Sequence, residues 1–109
     1  MKQSEFNRIV LDMLTQAEGT LTRKGQEYAE AASTENQVDR LEHFKKAAAL
    51  QGVTTAQAAF GMLAKHLVSV ADMVASRETY NLETWDEKLG DSINYLLILR
   101  AIVEEEAAV

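Results

Sequence analysis

Apolar residues recur along this chain at intervals of three and four, the period of an amphipathic helix, with no strict alternation of the strand type. The pattern predicts four helices. The first opens near Ser4, a suitable N-cap, and gathers Phe6, Ile9, Val10, Met13, Leu14, Ala17 and Leu21 on one face. Gly19 and Gly25 each weaken it by roughly 1 kcal/mol relative to alanine, yet Tyr28 continues the stripe, so the helix extends to about Ala31. A polar loop follows over 32–37.

The second helix runs from Asp39 to Leu50, with Leu41, Phe44 and Ala48 inward and Gly52 as its stop. Its Ala47-Ala48-Ala49 run permits close approach of a neighbouring helix. Thr54 and Gln57 have the spacing of a capping box and open a third helix to about Ser76, whose core face is Phe60, Leu63, Leu67, Val70 and Val74. Thr84 and Glu87 repeat the spacing and open a fourth, apolar nearly all round through Leu89, Ile93, Tyr95, Leu96, Leu97, Ile98, Leu99, Ile102 and Val103. The expected architecture is a single all-α domain, an antiparallel four-helix bundle over residues 1–109. So apolar a fourth helix points further, to a homo-oligomer, dimer or higher.

Composition narrows the chemistry. The chain has no proline and no cysteine, so disulfides, thiolate metal sites and cysteine nucleophiles are excluded. No stretch reads as the eighteen or so apolar residues of a membrane span, and the N-terminus lacks a targeting pattern, so a cytoplasmic protein without a membrane partner is expected. A net charge of −6 argues against a broad nucleic-acid-binding surface. It does not argue against a single nucleotide, because a divalent cation can bridge carboxylates and phosphates.

Two helices carry polar residues on stripes they share with apolar ones. On the fourth, Glu87, Asp91 and Asn94 align with Ile98; on the third, Lys65, Ser69 and Asp72 align with Gly61 and Met62. In an antiparallel arrangement the stripes converge, with Asp72, Glu87 and Asp91 toward one end and Lys65 farther along. Carboxylates projecting from adjacent helices suit Mg²⁺, which keeps waters and takes substrate phosphates to complete its octahedron, and a lysine beside them suits a phosphate. Each residue also has a structural reading. Glu87 is the partner of Thr84 in a capping box, Asp91 and Asn94 are members of a buried polar network, and Lys65 and Asp72 are the solvated back of an amphipathic helix.

Glu27 and Glu30 form an acidic pair three apart, a spacing equally common on surfaces. Arg40, His43 and Lys45 make a small basic patch suited to phosphate or, with Glu42, to surface ion pairs. Neither His43 nor His66 has paired metal-ligand spacing, and neither is assigned a catalytic role.

The segments Lys24-Gly25-Gln26-Glu27-Tyr28-Ala29, Arg40-Leu41-Glu42-His43-Phe44-Lys45, Met62-Leu63-Ala64-Lys65-His66 and Trp85 through Tyr95 resemble small all-α phage and prophage proteins. Those are grouped with nucleotide-modification-associated domains and are broadly similar to the MazG-like nucleoside triphosphate pyrophosphohydrolases. The resemblance implies an oligomeric all-α fold that handles nucleotides with Mg²⁺. It implies Glu87, Asp91 and Asp72 as metal ligands, Lys65, Asn94, Arg40 and Lys24 toward phosphate or nucleotide, and Glu27, Glu30 and Lys88 as further candidates.

The chain departs from the MazG pattern of ExxE followed closely by ExxD. Glu87 and Asp91 are four apart, Lys88 stands where an acid is expected, and Glu27 and Glu30 lie far upstream. Nucleotide binding without hydrolysis therefore stands beside a pyrophosphohydrolase. A non-enzymatic oligomeric interaction protein is the alternative.

Overall fold

The computed structural model describes residues 1–31 and 39–108, with the backbone alone for 28–31. The expected polar loop over 32–37 and the side chains of Tyr28 and Glu30 lie outside the described residues. Among the described residues there are four helices: α1 (Gln3–Ala31), α2 (Glu42–Gln51), α3 (Thr55–Ala75) and α4 (Leu82–Ala107). Among the described residues there is no strand, so the fold is all-α. The chain divides into two compact units, Met1–Val38 and Asp39–Val109.

The described part of the first unit is α1. Glu5 lies in its first turn, where a carboxylate suits the positive end of the helix dipole. The pairs Gln3–Asn7 at 2.7 Å and Arg8–Asp12 at 3.0 Å are four residues apart and support the first three turns. Of its apolar stripe, Ala17 is buried and Ile9, Met13 and Leu21 are half-buried, whereas Phe6, Val10 and Leu14 are exposed. The stripe is there as expected, but most of its large residues are not core.

In the second unit α3 packs against both α2 and α4. Asp39 does not begin α2 as expected. Its carboxylate accepts a hydrogen bond from the Leu41 amide at 3.0 Å and its carbonyl accepts one from Glu42 at 3.0 Å, so the chain makes a turn before the helix starts at Glu42. At the other end Gly52 adopts a left-handed conformation (φ 67°), its amide donating to Ala49 O at 3.3 Å and that of Val53 to Ala48 O at 3.0 Å. This αL cap satisfies two otherwise orphaned carbonyls and turns the chain into α3.

The capping box of α3 is present as the spacing predicts. Thr54 Oγ1 accepts from the Gln57 amide at 3.1 Å, and Gln57 Oε1 accepts from the Thr54 amide at 2.9 Å. The second expected box is not present. Asn81, not Thr84, caps α4, its Oδ1 accepting from the Thr84 amide at 2.8 Å. Tyr80 and Trp85, on either side of that cap, meet edge to face at 6.2 Å between ring centroids and fix the entry of the chain, a hydrophobic staple.

The core is a cluster of Leu41 and Phe44 from the start of α2, Ala59 from α3 and Ile102 from α4, backed by Met62, Tyr95, Ile98 and Leu99. Leu63 and Ile102 are the largest side chains fully withdrawn from solvent. Each contributes roughly 1.5–3 kcal/mol by burial. Ala59 meets Ile102 while His66 meets Asp91 and Tyr95, which fixes α3 and α4 as antiparallel. Leu41, Phe44 and Ala48 are inward as expected.

The expected core face of α3 needs correction. Leu63 is buried and Val70 half-buried, but Phe60, Leu67 and Val74 are 57%, 43% and 72% exposed. The small residues Ala58 and Ala59, with Leu63 and Met73, take the inward positions instead, and they let α2 and α4 approach closely. On α4 only Ser92 and Ile102 are fully buried. The low burial of α3 also bears on its hydropathy: by length and composition this 21-residue helix is apolar enough to cross a membrane, with mean hydropathy 1.3 and 22% of its most apolar window buried. That departs from the expectation that no such stretch exists.

Candidate functional site

The polar stripes of α3 and α4 meet at one defined contact. His66 Nδ1 lies 3.6 Å from Asp91 Oδ2, ion-pair range and slightly longer than a hydrogen bond, with the two side chains 30% and 39% exposed. The imidazole is stacked on Tyr95, with ring centroids 4.9 Å apart and planes at 28°. Tyr95 in turn receives Phe44 edge-on at 6.3 Å. The core thus sets the tyrosine, the tyrosine sets the histidine ring, and the ring presents one nitrogen to the carboxylate. Nε2, on the far edge of the ring, is the nitrogen this arrangement leaves for another partner.

One turn beyond Asp91, Asn94 Oδ1 is buried without a hydrogen-bond partner. A buried amide oxygen with no donor costs about 1–3 kcal/mol. Ser92, fully buried between them, spends its hydroxyl on the Lys88 carbonyl at 3.4 Å. Asp91 therefore belongs to a partly buried polar group with His66 and Tyr95, whereas Asn94, on the same stripe, keeps its buried Oδ1 without a partner. His66 has no paired spacing along the chain, because its partners are on another helix. Its only local signal is its position on the inward side of α3, four residues after the core residue Met62.

The other candidates fall at different distances from this contact. The antiparallel register sets Asp72 near the level of Glu87, both exposed. Among the described residues, no three or more His, Asp or Glu side chains are gathered closely enough to hold a metal ion. Glu87, Asp91 and Asp72 thus do not form one three-carboxylate group. With the cap at Asn81, Glu87 also loses its capping role and stands in the second turn, one turn before Asp91 on the same stripe. Lys65 is exposed beside His66, and Lys88 is half-buried.

The basic patch of α2 is partly consumed. Lys45 Nζ reaches Asp39 Oδ2 at 2.6 Å and Glu105 Oε1 at 2.5 Å. Hydrogen bonding to the two carboxylates raises the pKa of Lys45 above its ordinary value. The same lysine, with the Leu41 amide, lowers that of Asp39. Arg40 is half-buried and His43 exposed, and each already has an interaction of its own. On α1, Lys24 pairs with Glu27 at 3.3 Å, both exposed, as a surface ion pair would.

The arrangement offers an oriented imidazole with a carboxylate behind it, an aromatic face, a buried amide oxygen seeking a donor, and lysine and carboxylates at the rim. Neither family models, nor curated proteins, nor solved structures match this chain.

Proposed function

We propose that this chain is a nucleotide-binding protein of the MazG-like all-α kind, its ligand seated on the polar side of α3 and α4. The observation that carries the reading is the partly exposed His66–Asp91 pair with the imidazole stacked on Tyr95. An imidazole whose Nδ1 faces a carboxylate carries its proton on Nδ1, which leaves Nε2 of the neutral ring to accept from a ligand N–H or O–H; Nε2 donates to a phosphate oxygen in the imidazolium form. Lys65, exposed beside His66, supplies positive charge for a phosphate.

Mg²⁺ enters this reading with the nucleotide. Its phosphates and waters provide most of the coordination, and Glu87 and Asp91, one turn apart, are the carboxylates that meet it. Asp72 stands at the same level as Glu87.

The test is a thermal-shift panel of nucleoside triphosphates with and without Mg²⁺. A ligand present at a hundred times its dissociation constant stabilises by roughly 2.7 kcal/mol. At least one nucleotide is expected to raise the melting temperature of the wild type and to leave His66→Ala and Asp91→Asn unmoved. A flat panel would instead favour the second reading, a non-enzymatic oligomeric interaction protein. That reading rests on the exposed apolar residues of α3 and α4.

A further inference from the structure

The two histidines of the chain are held differently. His43 is exposed on α2 and has an interaction of its own. His66 is set from two directions: Tyr95 covers one face of the ring, and Asp91 Oδ2 stands 3.6 Å from Nδ1. Among the described residues no other hydrogen bond, ion pair or ring contact engages it, and its side chain is 30% exposed. The ring is thus fixed on one face and at one nitrogen and open at the other nitrogen.

This is how a nucleophilic imidazole is prepared. The carboxylate at Nδ1 holds the neutral ring in the tautomer whose Nε2 carries a lone pair, and it fixes the ring's direction. Histidine is among the side chains that form covalent intermediates. Lys65, the preceding residue, is exposed and has no ion pair among the described residues. A flexible point charge beside the ring suits the oxygens of a phosphoryl group.

We propose that His66 is a phosphoryl-accepting nucleophile, taking through Nε2 the terminal phosphoryl group of a phosphoanhydride or an acyl phosphate. The Nε2 lone pair forms the N–P bond, the bond from phosphorus to the bridging oxygen breaks, and the leaving diphosphate or carboxylate takes the electron pair. The Nδ1 proton stays facing Asp91, whose charge offsets the positive charge of the modified ring. Asp91 is the positioning residue and Tyr95 the support.

The test incubates the full chain with acetyl phosphate and, separately, with ATP and Mg²⁺. Intact mass reads the gain of an HPO3 group and its loss in acid, peptide mapping assigns the residue, and phosphorus NMR assigns the nitrogen. Circular dichroism checks the helix content of each variant. The label should appear on Nε2 of His66 about tenfold or more faster than on His43, although His43 is the more exposed. His66→Gln should abolish it and His43→Asn should leave it unchanged. Asp91→Asn should slow it by about tenfold, because an amide presents its N–H to Nδ1 and so puts the ring proton on Nε2. The ATP arm rests on the nucleotide reading given above and the acetyl phosphate arm does not. Labelling by acetyl phosphate alone would uphold the nucleophile and remove the nucleotide as its donor. No label from either donor, label on His43 as fast as on His66, label on Nδ1, or an Asp91→Asn rate equal to that of the wild type would overturn the proposal.

Discussion

Lys45 of α2 and Glu105 near the end of α4 are joined by a contact of 2.5 Å between Nζ and Oε1. The same Nζ holds Asp39 at the turn before α2, so one cation ties three points of the second unit. Its pH dependence follows from the two shifts. The lowered pKa of Asp39 means that its contribution is present above the ordinary aspartate range and is lost as pH falls through the lowered value. The raised pKa of Lys45 means that its contribution is complete below the ordinary lysine range and is lost only as pH rises through the raised value. Lys45→Met should therefore lower the melting temperature most at neutral pH and least at strongly acidic pH, with the difference shrinking in high salt. A difference that stayed constant from neutral to strongly acidic pH would remove the ion pairs as its cause.

The caps give a second expectation. Asn81→Ala should cost about 1 kcal/mol in urea unfolding, and Thr54→Ala a similar amount, because each removes a side-chain acceptor from a helix N-terminus. Thr84→Ala should cost distinctly less, since Thr84 contributes to the Asn81 cap only its backbone amide. Equal losses at positions 81 and 84 would contradict the observed start of α4.

Gly52 is held at a positive φ with open space around its Cα. Gly52→Ala should destabilise by roughly 1 kcal/mol through backbone strain alone, and Gly52→Asn by less, since asparagine tolerates the left-handed region better. Denaturant midpoints of the two variants would check the order.

Asn94→Leu separates function from stability. Removing a buried oxygen that lacks a donor should leave stability unchanged or raise it by up to about 1 kcal/mol. It should leave nucleotide binding by the His66–Asp91 pair unchanged, because that oxygen is closed to solvent. A large loss of stability would mean that the amide is engaged in the folded protein, against the geometry described above.

Much of the fold was legible because its signals are local. The Thr54–Gln57 box, Gly52 as a stop and the inward Leu41, Phe44 and Ala48 depend on residues within one or two turns of one another. At the start of α4, Asn81 and Thr84 are both good cap residues and Thr84 has a glutamate three residues on, so spacing alone points to Thr84. The staple between Tyr80 and Trp85 favours the other. The α3 face was misread because its larger apolar residues were assigned to the core, whereas close packing put alanines there. As for the site, the stripes of Asp91 and Asn94 were visible, but His66 was not. Its pairing with Asp91 spans two helices, and only the register of α3 against α4 brings them together.

The stack that runs from Phe44 through Tyr95 to His66 has a consequence for variants of the core. Phe44 touches no polar group, yet its loss would remove the ring against which Tyr95 is set and so reach the imidazole and carboxylate two contacts away. Loss of core packing and loss of the polar contact are therefore one event at this point of the molecule.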